Sequence, residues 1–373
     1  MIKHNANNER IKRQFFAYLK EAQRHCEDSV DGAAAALARF EAHTRHRDFK
    51  AFHHEQAVAF KRHLGAQTNA ATGKPLSKST LKSTLAHLKR FFHWLASQPG
   101  YKSRLSYSDS DYFNLSEKDA RVASARRPRP VPTLEQVQHT LGRMPRMTEL
   151  ERRNRALVAF ALLTGARDSA IASTKLKHVD LVAGSLFQDA REVKTKFSKT
   201  FTTYFFPVGG EARDILEDWV RYLYEEKLWG NDDPLFPSTR SALGPTGQFE
   251  AAGIENKHWS NAGPIRAIFR DAFARAGLPY FNPHSLRSTL VRLGETLCKT
   301  PEEFKAWSQN LGHEQVLTTF TSYGDVPALR QAEVLKALAG GHAHAIGPSA
   351  AESVAEQVVR LMRQHGVFAP PLG

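Results

Sequence analysis

Residues 125–132 read ARRPRPVP, and this segment constrains the fold more than any other feature of the chain. Three prolines in eight residues cannot continue a helix, because proline lacks an amide hydrogen and its ring clashes with the preceding turn. A chain of 373 residues is also long for a single hydrophobic core. We therefore predict a linker at 125–132, a helical domain at 1–124, a second domain at 133–345 and a tail at 346–373.

The net positive charge of the chain is concentrated in residues 1–132, which include this linker. Residues 1–132 hold 24 basic and 12 acidic residues, a net +12, whereas residues 133–373 hold 28 and 26, a net +2. Such an asymmetry suggests that the first third binds a polyanion, and nucleic acid is the first candidate because basic faces gain affinity by releasing counterions from phosphates. On charge alone, a merely soluble basic surface explains the pattern about as well.

Composition excludes several other classes. Cys26 and Cys298 lie far apart and in no CxxC or Cys/His finger spacing, which argues against structural zinc and against a disulfide scaffold. The sequence contains no GxxxxGK[ST] loop, so nothing supports ATP use. The first residues hold no apolar run of signal-peptide length, and no run approaches a membrane span. We expect a cytoplasmic protein without a metal or other cofactor.

Apolar periodicity predicts a mainly α fold with a small antiparallel β-sheet. Alternation between Val179 and Val208 indicates strands, with turns at Ala183-Gly184 and near Phe197-Ser198. Helical spacing recurs through the rest of the chain. The predicted helices are residues 10–25, 32–43, 55–64, 77–97, 134–141, 148–164, 169–174, 211–226, 261–276, 284–297, 301–309, 328–338 and 351–363.

The helix predicted at 77–97 has one apolar face and one basic face. The basic face is either simply solvated or in contact with DNA, and the regional charge favours DNA modestly. The candidate DNA-binding residues are Lys78, Lys82, Lys89 and Arg90 on this helix and Arg126, Arg127 and Arg129 in the linker.

Four short segments carry the chemistry. Two arginines and two histidines can surround one phosphate, because guanidinium groups match phosphate oxygens and imidazoles transfer protons near neutral pH. A tyrosine ten residues after the last histidine can attack the phosphorus without a metal. Each segment alone has a plainer explanation, such as a helix end or a packed tyrosine, so the order of the set is what matters. The segments are Thr164-Gly165-Ala166-Arg167, His284-Ser285-Leu286-Arg287, Leu311-Gly312-His313 and Tyr323.

This set resembles the tyrosine recombinases, the phage integrase family, over about residues 77–330. ALLTGARDSAIASTKLKHVDL resembles the first arginine box of the family, HSLR its His-x-x-Arg box, and LGHEQVLTTFTSYGDV its tyrosine box. The resemblance implies a two-domain clamp on double-stranded DNA, in which a helical N-terminal domain precedes the catalytic domain. It also implies DNA strand exchange without metal or ATP, by four protomers on two sites.

The family's functional residues carry over onto matching positions. Tyr323 would be the nucleophile, and a lysine on a β-hairpin would protonate the leaving oxygen. We choose Lys196 for that role, followed by Lys194 and then Lys199. The remaining catalytic candidates are Arg167, Arg287 and His313, which would hold the nonbridging oxygens, and His284, which would assist proton transfer at the tyrosine.

The sequence departs from the family pattern at two points. Ala170 stands where the family usually has an acid, and Asp168 nearby would point elsewhere on a helical turn. The segment between Thr318-Thr319 and Tyr323 is about one residue longer than usual. Ala170 in place of the acid suggests reduced activity. The longer segment before Tyr323 suggests altered timing of cleavage, or has no effect.

Two alternative functions and two placements of the last helix therefore stay open. A type IB topoisomerase would share the chemistry but rejoin the same strand, and an architectural DNA-binding protein would keep the grip and lack activity. The predicted helix Ala351–Arg363 follows a Gly-rich joint and either packs on its own domain or docks on a neighbouring protomer within the tetramer.

Overall fold

The computed structural model describes residues 4–69, 72–125, 130–244 and 247–313. They divide into two compact units, one within residues 1–127 and the other within 128–373. No helix in this described part is long and apolar enough to span a membrane. Several predicted features lie outside the described residues. They are the linker arginines Arg126, Arg127 and Arg129, the candidate nucleophile Tyr323, and the predicted helices at 328–338 and 351–363.

The first unit is helical. A π-helical turn, Tyr18–Ala22, continues its first helix, and a 3-10 segment, Tyr107–Phe113, precedes its last. The α-helices are α1 (Ala6–Ala17), α2 (Glu27–His43), α3 (His54–Ala66), α4 (Lys78–Leu95) and α5 (Glu117–Ser124).

Helix α4 forms the centre of this unit. The Ser77 hydroxyl accepts a hydrogen bond from the Thr80 amide and so caps the first turn. The apolar face packs against an aromatic core in which several rings meet edge to face. The buried apolar residues of α4 are Leu81, Leu85, Leu88, Phe91, Phe92 and Leu95, which confirms the face predicted from the sequence.

The second unit carries, among its described residues, three of the four chemistry-bearing segments. Its helix α7 starts with a capping box between Thr148 and Glu151 and is buried from Ala156 to its last residue, Thr164. The helices are α6 (Leu134–Arg143), α7 (Glu149–Thr164), α8 (Asp168–Ile171), α9 (Gly210–Glu225), α10 (Gly263–Arg275), α11 (Pro283–Leu297) and α12 (Pro301–Asn310).

Two small antiparallel sheets accompany these helices in the described residues. The first has the strand order β1-β2-β3, formed by Val179–Asp180, Ser185–Gln188 and Phe201–Tyr204, with Leu186 opposite Thr203. The second is a hairpin of β4 (Ser238–Leu243) and β5 (Phe249–Glu255). The predicted class, mainly α with antiparallel strands, is confirmed, although the sequence indicated a single sheet and not the second hairpin.

Several predicted element bounds were wrong. The helix predicted at residues 10–25 is α1 plus the π-helical turn and ends at Ala22. Helix α2 begins at Glu27 instead of Gly32, because two acidic residues favour the first turn of a helix. The helix predicted at 169–174 is the single turn Asp168–Ile171. The connection between β2 and β3 is longer than the predicted hairpin turn, because β2 ends at Gln188 and β3 begins at Phe201.

Candidate active site

The first arginine segment is placed by a glycine at the end of α7. Gly165 adopts a left-handed conformation, φ +59°, which suits glycine. A Cβ there would lie 3.0 Å from Leu290 and 3.1 Å from Leu311, so close packing also favours the missing side chain. The chain then turns into α8, for which Arg167 is the half-buried N-terminal cap residue.

Arg287 is the most buried of the catalytic candidates that the structure describes, with 2% of its surface exposed. Its Nη1 donates to the Gly165 carbonyl oxygen at 2.6 Å, and its Nη2 donates to the Leu311 carbonyl oxygen and to His313 Nε2 at 3.1 Å. These partners are uncharged acceptors. Its Nε is buried without a hydrogen-bond partner among the described residues. Arg287 therefore joins three predicted segments while these contacts leave its positive charge uncompensated.

His313 lies directly beside this guanidinium and is 9% exposed. Arginine can only donate, so His313 Nε2 accepts and the imidazole carries its proton on Nδ1. Burial, together with the positive charges of Arg287 and Arg167, lowers the pKa of His313 to about 4. The ring is therefore neutral at pH 7 in the free protein.

His284 occupies the first turn of α11, three residues before Arg287 and on the same side of the helix. The residue keeps contact with solvent, yet partial burial of its ring and the charges of Arg287 and Arg167 lower its pKa to about 4. The same two arginines thus act on both histidines, which brings Arg167, His284, Arg287 and His313 into one electropositive cluster.

The lysine-bearing connection between β2 and β3 is fixed beside α8. Ser169 Oγ donates to the Lys194 carbonyl oxygen at 3.2 Å, and the Lys194 amide donates to Ser173 Oγ at 2.8 Å. The charge of Lys196 helps to lower the pKa of His284, and that of Lys199 helps to lower the pKa of His313. These two lysines thus lower the pKa of histidines in the cluster, whereas the charge of Lys194 helps to lower the pKa of His258.

Asp168 lies next to the cluster and forms an ion pair. Its Oδ2 accepts from Arg266 Nε at 2.9 Å and Nη2 at 2.8 Å. Ala170, at the position where the family usually has an acid, is 1% exposed. Asp168 nevertheless acts on the cluster, since its negative charge opposes the lowering of the His284 pKa.

The sequence did not identify Asn310 as a positioning residue. Its side chain accepts from the Tyr204 amide at 2.7 Å and donates to the Tyr204 carbonyl oxygen at 2.8 Å, while its own carbonyl oxygen accepts from Thr203. The amide side chain therefore binds strand β3 as a neighbouring strand would. This contact fixes the end of α12, three residues before His313, to the sheet.

Gly312 lets the backbone just before His313 pass close to the ring of Phe201. It has φ +70°, and a Cβ there would lie 2.6 Å from the ring of Phe201. We expect Gly312→Ala to lower the free energy of unfolding by about 2–4 kcal/mol, from backbone strain plus overpacking. Urea denaturation measures the effect.

Gly277→Ala is the matched control, because Gly277 has the same φ of +70° but nothing within 4 Å of its Cβ position. It should cost only about 1 kcal/mol, the backbone strain alone. Equal losses in the two variants would contradict the packing role of Gly312.

We expect His313 to titrate near pH 4 in the free protein instead of near 6.5. Because the folded state disfavours the protonated ring, its contribution to stability is complete at neutral pH and is lost as the pH falls from about 6.5 toward 4. NMR titration of ¹³C-histidine-labelled protein measures the midpoint, and His313→Gln identifies the resonance. A midpoint at pH 6 or above would show that the ring is not held among the arginines.

The DNA-binding candidates on α4 contact other parts of the first unit. Lys78 Nζ lies 2.9 Å from Asp119, and Lys89 Nζ lies 2.8 Å from Asp111. Lys82 donates to Ser124 Oγ at 2.7 Å, and Arg90 Nη1 donates to His25 Nε2 at 3.0 Å. Their contact with DNA stays a prediction, and so does the role of each catalytic candidate.

Comparison with known proteins identifies a matching family and similar structures. Residues 133–328 match the sequence model of the phage integrase family. A lambda integrase fragment bound as a dimer to a COC′ core site is similar in structure, with a TM-score of 0.57 and 14% identity, over 86% of this chain and 96% of that one. No curated protein sequence matches the chain.

Two further solved structures share the fold. The Tn1549 transposon integrase in complex with transposon right end DNA gives a TM-score of 0.56 at 14% identity, covering 88% of this chain and 99% of that chain. The XerH site-specific recombinase bound to difH gives 0.54 at 17% identity, covering 87% and 84%. At these identities the likeness shows the fold.

Proposed function

This chain belongs to the phage integrase family, and we propose that it is a site-specific recombinase that cuts and rejoins DNA through a 3′-phosphotyrosyl intermediate. The observation that carries the proposal is the convergence of the buried Arg287 and His313, 3.1 Å apart, close enough to Arg167 for its charge to lower the pKa of His313. A buried guanidinium whose described partners are uncharged favours an anion, and a phosphodiester supplies one.

The proposed reaction exchanges one phosphodiester bond for another. The Tyr323 oxygen attacks the phosphorus, the bond to the 5′ oxygen breaks, and Lys196 gives that oxygen a proton. Arg167, Arg287 and His313 stabilise the charge on the nonbridging oxygens. His284 is neutral at pH 7 and has a lone pair that accepts the tyrosine proton.

A 5′-hydroxyl of the partner strand then reverses these steps. Because the phosphotyrosyl bond keeps the energy of the phosphodiester, the reaction requires no ATP and, in this scheme, no metal. Among the described residues no group of three or more His, Cys, Asp or Glu side chains forms a candidate metal site.

We extend the proposal to assembly. The first unit and the linker would bind the duplex, with the second unit as the catalytic domain of a clamp. Lambda integrase has been solved as a tetramer bound to a Holliday junction, and four protomers on paired sites is the arrangement we propose here. The segment 351–363 would link neighbouring protomers, and the protein would act on DNA in the cytoplasm.

A nicked suicide duplex tests the function. The duplex is first selected by binding from a random library and then nicked next to each candidate phosphate, so that the short leaving strand diffuses away. An SDS-stable adduct plus strand transfer to a second duplex is expected. An adduct with relaxation of supercoiled DNA but no transfer would favour a topoisomerase, and binding without an adduct would favour an architectural protein. Loss of cleavage in EDTA with recovery in magnesium would overturn the mechanism.

The salt dependence of DNA binding tests the division of labour between the units. Because residues 1–132 hold most of the net charge, a fragment starting at Thr133 should bind weakly, with a shallower slope of log affinity against log salt concentration. Filter binding across a range of salt concentrations measures both slopes. An unchanged slope would show that the basic first third does not contact phosphates.

A further inference from the structure

An aromatic residue projects into solvent from the connection that carries the candidate lysines. Phe197 is 78% exposed, although a buried phenylalanine would stabilise the fold. Its φ is +61°, and Ser198 after it has φ +50°. Left-handed conformations are rare for residues other than glycine, and strained residues of this kind cluster at functional sites. The backbone thus holds an apolar ring outward at a cost in stability.

Both ends of this connection are fixed to segments of the candidate active site. At the start, Lys194 exchanges hydrogen bonds with Ser169 and Ser173, which belong to the turn that follows Arg167. At the end, the ring of Phe201 lies against Gly312, the residue before His313. The tip is also closed on itself, because Thr195 Oγ1 donates to the Lys199 carbonyl oxygen at 2.7 Å. Phe197 is therefore presented beside the electropositive cluster.

The surroundings of Phe197 indicate which partner fits. The ammonium of Lys196 lies 4.8 Å from the ring centroid, and Lys194 and Lys199 flank the tip. An aromatic ring among cations matches a nucleic acid, since bases stack on rings while cations contact phosphates. An apolar protein groove would not require three lysines around the ring. Apolar side chains that enter DNA also separate neighbouring bases and open the step between them.

We propose that Phe197 contacts a base next to the cleaved phosphate and partly unstacks it, which brings that phosphate into the cluster of Arg167, Arg287 and His313. The inference rests on the proposed function, because it needs a DNA duplex in this site. It adds a base-contacting residue and hence a source of preference for easily unstacked steps, such as pyrimidine–purine steps, at the cleavage position.

The test places 2-aminopurine beside the cleaved phosphate of the selected suicide duplex, where its fluorescence rises on unstacking. The wild-type chain should raise the signal, and Phe197→Ala should lose most of the rise and slow cleavage about tenfold or more. Phe197→Trp should retain both. Phe249→Ala is the matched control, because Phe249 is 79% exposed at the tip of the β4–β5 hairpin, and it should behave as wild type.

A second substrate separates base contact from an effect through Lys196. With sulfur as the bridging 5′ atom, the leaving group needs no proton, so a defect in proton donation disappears. The defect of Phe197→Ala should persist on this substrate. Full recovery of cleavage on this substrate would overturn the inference and assign Phe197 to holding Lys196. A 2-aminopurine rise that is the same in Phe197→Ala as in the wild-type chain would also overturn it. Absence of an adduct from the wild-type chain would instead refute the proposed function.

Discussion

Tyr323→Phe should abolish the covalent protein–DNA adduct and leave DNA affinity unchanged, because the substitution removes only the nucleophilic oxygen. The effect is the largest we expect from a single atom, since no other step of the proposed reaction forms a protein–DNA bond. The SDS-stable adduct on the suicide duplex measures it, with filter binding as the parallel measurement of affinity.

Other tyrosines of the second unit supply the controls. Tyr280 is 43% exposed, and Tyr280→Phe should cleave as the wild-type chain does. Tyr222 is buried and donates to Glu149 at 3.0 Å, and burial with this carboxylate raises its pKa to about 12, which disfavours the phenolate. Tyr224 donates to Asn231 at 2.9 Å. An adduct that survives in Tyr323→Phe would mean that the nucleophile is misassigned, and Tyr280, Tyr222 and Tyr224 would be tested next.

Arg167→Ala should slow cleavage by about a hundredfold or more while it weakens binding only slightly, because the guanidinium acts mainly on charge that develops in the transition state. Arg287→Ala should slow cleavage as much. It should also destabilise the second unit, since Arg287 holds the carbonyl oxygens of Gly165 and Leu311. Single-turnover cleavage at saturating protein separates rate from affinity in both variants.

Arg266→Ala is the matched control for these substitutions. Arg266 is an exposed cation of the same unit whose guanidinium binds Asp168. Its loss should change the cleavage rate far less than the loss of Arg167. Equal losses of rate and affinity in Arg167→Ala would assign that residue to gripping DNA instead of catalysis.

Much of the fold was predictable because helical periodicity is a strong local signal. The apolar face of α4 and the stop of α7 at Gly165 follow from the sequence, since spacing and a terminal glycine are read within a few residues. The β4–β5 hairpin was missed because it lacks such a local signal. Most of β4 is exposed, so no alternation of buried and exposed residues marks it as a strand.

The site was predictable as a set of residues but not as a geometry. The order of the motifs predicted that Arg167, Arg287 and His313 share one site. The burial of Arg287 against two carbonyl oxygens depends on chain segments far apart in sequence, so the motifs did not predict it. The pairing of the Asn310 side chain with strand β3 is likewise a tertiary contact that leaves no local signal. The outward ring of Phe197 depends on backbone angles that composition does not encode.

Identification of the amino acid and the DNA end in the adduct tests the central claim most directly. The adduct is digested with trypsin and nuclease and examined by mass spectrometry, while the released strand is labelled with polynucleotide kinase with and without prior phosphatase. We expect a nucleotide joined through its 3′ phosphate to Tyr323 and a released 5′-hydroxyl that labels without phosphatase. A link to another residue, or a released 5′ phosphate, would contradict the account.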